Sequence, residues 1–422
     1  MELLSDPTGI GYTPAGAQDE TTTSVPRLTP ESEKSRVIIV GGSAAGLHAA
    51  ALLARGGRSV RVLEAAAELA PAPRTLIVTS RLKPLLGAVA ATSTVNEIRR
   101  FEMFTDGRSA QIALAQPDLI IERSRLIRAL AQEARGAGAA LDCSTRFQTV
   151  TANERGLRLA VEANGKAEEL HTDSVVGADG AASRVARSAG WPPLKTVPLL
   201  QAIVRLPKDC AADTVRVWFV PDDTPYFYWL IPESSERAAV GLIAEDGRDA
   251  ARCLARFLEK KGMEPLEWQG ARTPVYRGWV PVRRKVGNGD VYLVGDAAAQ
   301  VKVSTVGGVV SGFRGARGVA EAILRGRPGG ELRGLRRELT AHWLIRRSLH
   351  WFQQGEYSRM VDVLDAATRR AFGEVTRDEA ARLIWRVIRH HPRLALLGLR
   401  GLLLGRSARR PGQRPDAASL SA

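Results

Sequence analysis

A glycine-rich corner near the start of the chain has the residue types and spacing of a nucleotide-binding turn. Residues 41–46 read Gly-Gly-Ser-Ala-Ala-Gly and follow the apolar run Val37–Val40. In a G-x-G-x-x-G turn the first glycine makes a tight bend, a small middle residue admits the pyrophosphate, and the last glycine allows close helix packing. The corner therefore predicts a dinucleotide pyrophosphate on a helix N-terminus. The predicted contacts are Gly41, Ser43, Ala45 and Gly46.

An acidic residue at a suitable distance supports the same prediction. Glu64 lies 23 residues after Gly41, at the end of the apolar run Ser59–Leu63. An acid at this place bonds an adenosine ribose, so it favours NAD or FAD over NADP. The segment Ala44–Arg55 between the two runs has helix-forming residues and ends at two glycines. Together these segments predict a βαβ unit.

A second stretch with the chemistry of a flavin site begins at Gly295-Asp296, after the apolar run Val291–Val294. Asp296 could bond the ribityl or adenylate side of an extended flavin. A helix that begins after Gly307 and Gly308 would then direct its positive end at the flavin pyrimidine ring. A helix N-cap is the other role open to Asp296. A nicotinamide dehydrogenase rarely has such a second motif, so the stretch favours FAD over NAD.

With Gly177-Ala178-Asp179-Gly180 between them, these motifs resemble the flavoprotein superfamily with the para-hydroxybenzoate hydroxylase fold. The resemblance covers about residues 36–325. It implies a noncovalently bound FAD, with Asp179 and Gly180 near its pyrophosphate and Arg123 reaching the cofactor. An exposed arginine at a helix start is the alternative for Arg123. The implied electron source is NADH, NADPH or a reduced protein donor.

Two segments indicate the branch of this superfamily. Gly295–Lys302, and Phe227–Pro232 followed by Gly241, are similar to geranylgeranyl reductases. The fragment Phe227–Pro232 is also similar to the Trp-x-Trp-x-Ile-Pro element of flavin halogenases. Lys83, the one nearby lysine for a halogenase role, lies too close to the glycine corner in sequence. Departures from the reductase pattern occur at Phe227, Ile243, Val303 and Val306.

The reductase resemblance implies hydride transfer from flavin N5 to double bonds of a lipophilic, prenylated substrate. An FAD- and NAD(P)H-dependent monooxygenase stays open as the alternative; it would hydroxylate or epoxidise a lipophilic aromatic through a C4a-hydroperoxyflavin. A halogenase and a non-catalytic redox carrier are weaker hypotheses. Aromatic side chains on an antiparallel sheet could form the pocket wall, or could simply pack the sheet core. The predicted pocket residues are Tyr226, Phe227, Trp229, Pro232 and Gly241, and no catalytic residue is predicted.

Composition limits the partners and the compartment. The 60 Lys and Arg residues against 45 Asp and Glu leave a net charge of +15, which favours an anionic partner, although high overall Ala and Arg usage explains it equally well. The three cysteines and six histidines show no ligand spacing, so we expect no disulfide framework and no metal. The first residues lack a secretory signal, which favours the cytoplasm. We expect a lipophilic small-molecule substrate and no nucleic acid.

These elements predict an α/β protein: a Rossmann-type FAD-binding domain with an inserted antiparallel substrate sheet and a helical C-terminal region. The sheet is predicted from short β-rich runs separated by turn residues over 202–244. The expected ranges are 1–34 (disordered), 35–190 (FAD-binding domain, first part), 191–285 (substrate sheet), 286–330 (FAD-binding domain, return), 331–406 (helical region) and 407–422 (disordered tail).

The segment 383–404 alternates leucines with arginines and is interrupted by Pro392. It is too charged and broken to span a bilayer, which requires about 20 apolar residues. A helix pair that packs on the catalytic domain is one interpretation. The other is a peripheral contact with the inner face of a membrane, with the arginines on lipid phosphates. The oligomeric state is not predicted.

Overall fold

The computed structural model describes residues 36–390 except 155, and also 392, 393, 395, 396 and 398–400. The two segments predicted to be disordered, 1–34 and 407–422, lie outside the described residues. The strands in chain order are β1 Arg36–Val40, β2 Ser59–Leu63, β3 Thr75–Val78, β4 Thr94–Thr105, β5 Arg108–Glu122, β6 Ala140–Asp142, β7 Thr145–Asn153, β8 Gly156–Ala163, β9 Lys166–Thr172, β10 Ser174–Gly177, β11 Thr196–Arg205, β12 Thr214–Trp218, β13 Tyr228–Pro232, β14 Arg237–Ile243, β15 Glu267–Pro274, β16 Arg283–Val286 and β17 Gly289–Leu293.

Helices follow or separate these strands, and a short 3₁₀ helix covers Gly295–Ala298. None of the described helices combines the length and apolar character needed to cross a membrane. The α-helices in chain order are α1 Ala44–Arg55, α2 Leu82–Leu86, α3 Ala88–Ser93, α4 Arg123–Gly136, α5 Arg184–Ser188, α6 Gly247–Lys260, α7 Val309–Arg325, α8 Gly330–Leu349, α9 Gln354–Asp362, α10 Ala366–Glu374 and α11 Ala380–His390.

The first sheet has six strands in the order β16-β17-β10-β1-β2-β6. All neighbours are parallel except β16, which pairs antiparallel with β17. Strand β1 is a continuous apolar run because both faces of a parallel sheet are covered. Helices α1, α4 and α7 contribute buried side chains to the same core. The predicted βαβ unit is confirmed, with α1 and β2 at the predicted bounds.

The second sheet has eight strands in the order β15-β11-β14-β13-β12-β4-β5-β3. Its neighbours are antiparallel except β12 and β4, which run parallel. The predicted strands between 202 and 244 are confirmed within a few residues. Strands β3, β4 and β5, however, come from inside the range 35–190 that was assigned to the FAD-binding domain. The division into domains therefore stays a prediction. The range 35–190, which was assigned to the first part of the FAD-binding domain, contributes strands to all three sheets.

The third sheet contains β7, β8 and β9. The turn between β8 and β9 is Asn164-Gly165, and both residues have positive φ, 50° and 78°. Such a two-residue turn matches the right-handed twist of the paired strands. The Asn164-Gly165 dipeptide is typical of such a turn, and β8 and β9 pair antiparallel on either side of it. The region after residue 306 is mostly helical, as predicted.

Candidate functional site

The glycine corner adopts a backbone that only glycine fits at two positions. Gly41 has a φ of +106°, and a Cβ atom there would lie 2.6 Å from the carbonyl oxygen of Ala178. A Cβ atom on Gly46 would lie 2.4 Å from the carbonyl oxygen of Gly41. The two glycines thus allow β1, α1 and the end of β10 to meet closely.

Serine at the middle position has its own local role. The Ser43 hydroxyl oxygen accepts a hydrogen bond from the Gly46 amide at 3.3 Å, and Ser43 is the N-cap of α1. The cap satisfies one of the free amides at the helix start. Ala45 lies on the buried side of this turn, and a Cβ atom on Gly295 would lie 3.1 Å from the Ala45 Cβ. Ala45 therefore joins the corner to the Gly295-Asp296 motif.

Glu64 lies beside the corner, at the carboxyl end of β2. Its Oε2 atom accepts a hydrogen bond from the Gly42 amide at 2.8 Å, and its Oε1 atom accepts one from the Ala66 amide at 2.9 Å. The carboxylate is partly exposed and lines the cleft described below. The predicted proximity of this acid to the corner is thus present, and its contact with a ribose stays a prediction.

The Asp179-Gly180 motif forms the opposite side of the corner. Asp179 accepts hydrogen bonds from the Ser183 hydroxyl at 2.6 Å and from the Arg184 amide at 2.7 Å. These bonds hold the turn that leads into α5. Gly180 has a φ of +82°, with nothing within 4 Å of a Cβ atom placed on it. Asp179 therefore shapes the turn through its side chain, and Gly180 leaves its outer side open.

A cleft of about 570 Å³ connects these groups. This volume is within the range of small-molecule and cofactor sites. Three arginines line the cleft, namely Arg123 at the start of α4, Arg146 on β7 and Arg184 at the start of α5. Arg123 is thus both a helix-start residue and a cleft residue. Other lining residues include Gly41, Gly42, Ser43, Glu64, Leu69, Ile127, Phe147, Asp179 and Gly180.

Asp296 lies in the 3₁₀ helix that follows β17, and burial raises its pKa although Arg74 and Arg123 act against that rise. Asp296 is not a helix N-cap, because no side chain caps the 3₁₀ helix and Gly308 is the N-cap of α7. A Cβ atom on Gly308 would lie 3.2 Å from an Asp296 carboxylate oxygen. The glycine therefore lets the start of α7 approach this acid.

Arg74 is the second cation near Asp296. Its Nε atom is buried and has no hydrogen-bond partner among the described residues. Burial lowers its pKa, and the charge of Arg123 lowers it further. A guanidinium with an unused buried donor near Asp296 and Arg123 fits a negatively charged group of a ligand. Arg74 lies ten residues after Glu64 in a stretch without a motif, so no sequence signal identified it.

The two faces of β13 carry different groups. Tyr228 faces α6, where it stacks on Phe257 with ring centroids 4.2 Å apart and donates a hydrogen bond to Asp223 at 2.7 Å. Trp229 and Ile231 lie on the opposite face. We call this opposite side the aromatic face, and its members on or near β13 are Tyr226, Phe227, Trp229 and Ile231.

Trp229 is the centre of the aromatic face. It contacts Phe227 edge-on at 6.2 Å, and a Cβ atom on Gly241 would lie 2.6 Å from its ring. Its indole Nε1 is buried without a hydrogen-bond partner. Val306, from the loop before α7, packs against the same cluster. The aromatic face therefore meets the loop that joins Asp296 to Gly307 and Gly308.

The five predicted pocket residues lie in three different surroundings. Tyr226, Phe227 and Trp229 share the aromatic face, and Gly241 makes room for Trp229. Pro232 lies at the end of β13, where its carbonyl oxygen accepts a hydrogen bond from the Asn96 amide side chain at 3.1 Å. Trp229 is packed in a core cluster here, so its contact with a substrate stays a prediction.

The parallel sheet, the glycine corner and the charged cleft define a Rossmann-type flavoprotein. Residues 34–324 match the family described as FAD binding domain, and the chain belongs to that family. FAD is therefore the cofactor of this protein, which is an FAD-dependent oxidoreductase. The residues described above fit it, since Gly41, Ser43 and Gly46 leave room at a helix N-terminus and the buried Nε atom of Arg74 has no hydrogen-bond partner among the described residues.

Two relatives with assigned names have related sequences. Digeranylgeranylglycerophospholipid reductase 1 of Methanothermobacter thermautotrophicus is 27% identical over 72% of this chain and 82% of its own length. The chloroplastic geranylgeranyl diphosphate reductase of Oryza sativa subsp. japonica is 26% identical over 84% of this chain and 81% of its own. The predicted resemblance to the superfamily and to its geranylgeranyl reductase branch is confirmed.

Two solved structures share the fold. A geranylgeranyl bacteriochlorophyll reductase-like protein from Thermoplasma acidophilum has a TM-score of 0.71 and 18% identity, covering 86% of this chain and 99% of its own. The probable FAD-dependent monooxygenase pqsL from Pseudomonas aeruginosa has a TM-score of 0.61 and 18% identity, covering 78% and 100%. The predicted fold class, with its inserted antiparallel sheet and helical C-terminal region, is confirmed.

Proposed function

We propose that this protein reduces double bonds of a lipophilic, prenylated substrate. The observation that carries the proposal is the aromatic face, which meets the loop between Asp296 and Gly307 through Val306. A cluster of largely buried aromatic side chains beside a flavin site suits a hydrocarbon chain and excludes water from the reaction. The names of the two relatives, which refer to reductases of geranylgeranyl compounds, support the same substrate class.

Bound FAD supplies a hydride equivalent, and the residues of this chain hold the reactants. We assign the pyrophosphate to the corner formed by Gly41, Ser43 and Gly46, with Ala45 behind it. Glu64 is assigned to the adenosine ribose. The remaining cofactor contacts are assigned to Arg123, Asp179, Gly180, Gly295, Asp296, Gly307 and Gly308. The substrate chain is assigned to Tyr226, Phe227, Trp229, Pro232 and Gly241.

The electron source is proposed to be NADH or NADPH, or a reduced protein. The sequence contains no second nucleotide fingerprint outside the corner at 41–46. A nicotinamide donor would therefore dock transiently on the exposed side of the flavin, as would a protein donor. Stopped-flow reduction of the flavin by each candidate donor identifies which one is used.

A monooxygenase is the second candidate function. It is supported by the shared fold of the probable FAD-dependent monooxygenase described above. Both functions require the same cofactor cleft and an apolar pocket, so the reaction product distinguishes them. The test supplies the holoprotein with a prenyl alcohol and with NADH or NADPH, with and without oxygen. Mass spectrometry then measures the product.

A gain of two hydrogens per double bond under anaerobic conditions is the expected result. A product that gains oxygen, and that forms only in air, would instead establish the monooxygenase. No product under either condition, with the flavin fully reduced, would contradict both. Trp229→Ala should raise the KM for the prenyl alcohol about tenfold or more, because loss of a buried aromatic contact costs several kcal/mol. Trp268→Ala, at an exposed site of the same sheet, is the matched control.

We also propose a peripheral membrane contact through the C-terminal helices. Eight large apolar side chains among the described residues are strongly exposed, and five of them are Leu344, Trp385, Ile388, Leu396 and Leu399. Exposed arginines at 382, 389, 393 and 400 surround them. An exposed apolar surface bordered by arginines suits an anionic bilayer interface.

Liposome sedimentation tests this contact. We expect binding to vesicles with anionic lipids and weaker binding to neutral ones. A variant with serine at positions 385, 388, 396 and 399 should lose binding. The matched control carries serine at 266 and 268, where Leu266 and Trp268 are exposed on the second sheet. Equal binding of both variants would contradict the proposal.

A further inference from the structure

Arg346 is a buried cation on the inner side of α8, with 6% of its surface exposed. It donates a hydrogen bond to the carbonyl oxygen of Pro225 and another to the side chain of Tyr357. Its guanidinium carbon lies 4.6 Å from the centroid of the Tyr226 ring. Its Nε atom is buried and has no hydrogen-bond partner among the described residues. One donor of this arginine is therefore unused.

The surroundings of Arg346 lack compensating negative charge. None of the ion pairs formed by the described residues includes Arg346, and burial lowers its pKa. The charge of Glu245 raises the pKa of Arg346, but Glu245 is exposed to solvent. Lys195 and Arg277 are further cations near Arg346. The charge of Lys195 lowers the pKa of His350, and the charge of Arg277 acts against the rise in the pKa of Tyr226. An unpaired buried cation is costly unless a counter-ion accompanies it.

A chain of aromatic contacts joins Arg346 to the aromatic face. Tyr357, which accepts its hydrogen bond, stacks on Phe219 with centroids 4.5 Å apart. Phe219 contacts Phe227 at 6.4 Å, and Phe227 contacts Trp229 at 6.2 Å. The cation thus lies at one end of a continuous row of largely buried aromatic side chains. The proposed function assigns part of this row to the substrate chain, and an arginine at its end suits an anionic end of the same molecule.

We propose that Arg346 binds the anionic, phosphate-type end of the lipophilic substrate. This inference rests on the proposed function, because it assigns the substrate chain to the aromatic face. A guanidinium presents several N–H donors in one plane, which match two oxygens of a phosphate better than an ammonium does. Lys195 and Arg277 add positive potential near Arg346. The protein would therefore select a prenyl phosphate over the prenyl alcohol of the same chain length.

The test measures binding to the oxidised holoprotein, without turnover, from the change in the flavin absorption spectrum. The probes are a prenyl phosphate, the matching prenyl alcohol and inorganic phosphate. We expect the wild-type protein to bind the phosphate ester about ten- to a hundredfold more tightly than the alcohol, as for a hydrogen-bonded charge pair. Arg346→Gln should abolish this difference by weakening binding of the phosphate ester to the level of the alcohol.

Two further variants complete the test. Arg347→Gln changes the neighbouring arginine, which lies over the Trp343 ring, and should behave as wild type. Arg346→Lys keeps the charge but loses the planar donors, so it should retain an intermediate preference and distinguish lost recognition from lost folding. Equal wild-type affinity for alcohol and phosphate ester would overturn the inference, even where reduction of the alcohol upholds the proposed function.

Two other results would be decisive. Inorganic phosphate binding as tightly as the prenyl phosphate would mean that the site holds a free anion, and the inference would be wrong. An alcohol that neither binds nor is reduced, together with a phosphate ester that binds through Arg346, would uphold the anion site while removing the proposed function for the alcohol. Loss of the preference in Arg347→Gln as well would contradict the specific role of Arg346.

Discussion

At the scale of single residues, the glycine corner offers a matched test of cofactor binding. Gly41 and Gly57 both have positive φ, +106° and +82°, but only at Gly41 does a Cβ atom meet other atoms. We expect alanine at either position to lower the free energy of unfolding by about 1–2 kcal/mol through backbone strain. Only Gly41→Ala should also weaken FAD binding, by about tenfold or more, because the turn must shift. Fluorescence titration with FAD measures both affinities. Equal FAD affinities of Gly41→Ala and Gly57→Ala would contradict this prediction.

Two buried histidines make the stability depend on pH. Burial lowers the pKa of His48 from 6.5 to about 4 and that of His342 to about 3. Below about pH 6.5 the unfolded chain therefore takes up protons that the folded chain refuses, so stability falls as the pH decreases. We expect each histidine to account for roughly 1–2 kcal/mol of the loss between pH 7 and pH 5.

Urea unfolding of the holoprotein at the two pH values measures this loss. His48→Gln and His342→Gln should each show a smaller decrease than wild type. Asp118 and Asp296, whose pKa burial raises, act in the opposite direction but are common to all three proteins. An unchanged pH dependence in both variants would show that these histidines are not the cause.

Residues of the site could be predicted only where a local motif marks them. Gly41, Gly46 and Glu64 lie in one βαβ unit whose spacing follows from the geometry of a turn, so the sequence identified them. Arg74 and Arg346 carry no motif, and only folding brings them beside Asp296 and Tyr226. A lone arginine in a chain rich in arginine gives no signal of this kind.

At the scale of elements, a buried ion pair joins the loop before α7 to the segment before α11. The Lys302 ammonium lies 2.5 Å from the Asp378 carboxylate, with 9% and 3% of the side chains exposed. The Thr79 hydroxyl also donates to Asp378. Burial alone raises the pKa of Asp378, but the lysine and this hydroxyl outweigh it and lower the pKa. The pair thus ties together three segments that are distant in sequence.

Removing the charge of one member of this ion pair should strongly destabilise the folded protein. We expect Asp378→Asn to lower the free energy of unfolding by about 3–5 kcal/mol, because Lys302 is left buried and unpaired. The matched control is Asp249→Asn, which breaks the exposed pair with Arg252 on α6 and should cost less than about 0.5 kcal/mol. Urea unfolding measures both changes, and equal losses would contradict the assignment. The double variant Lys302→Met with Asp378→Leu should recover part of the stability.

The elements between 65 and 122 show the limit of prediction from sequence. Strand β4 pairs with β5 through two shifts of register, which interrupt the alternation of apolar and polar residues. In β5 the alternation gives way to consecutive buried residues at 119–121. The predicted elements α1 and β2, by contrast, have uninterrupted patterns and clear ends. The regular patterns of α1 and β2 were sufficient to predict these elements from the sequence. The interrupted patterns of β4 and β5 were not, because their pairing depends on strands that are distant in sequence.

At the scale of the whole molecule, the chain passes repeatedly between the first two sheets. It leaves the first sheet after β2 and β10 and returns at β6 and β16. Neither sheet is built from one continuous segment. We therefore expect both sheets to unfold in one cooperative transition. Flavin release and tryptophan fluorescence should give the same urea midpoint, and two separated midpoints would contradict this.

The parallel pairing of β4 with β12 has a consequence for the synthesis of this protein. Residues 106 to 213 separate the paired strands, and they contain strands of all three sheets. The second sheet therefore stays incomplete on the ribosome until β15 emerges, and the first stays incomplete until β17 does. During this time the apolar strand edges are free to associate with other chains. The nascent chain should thus need chaperone protection for about two-thirds of its translation.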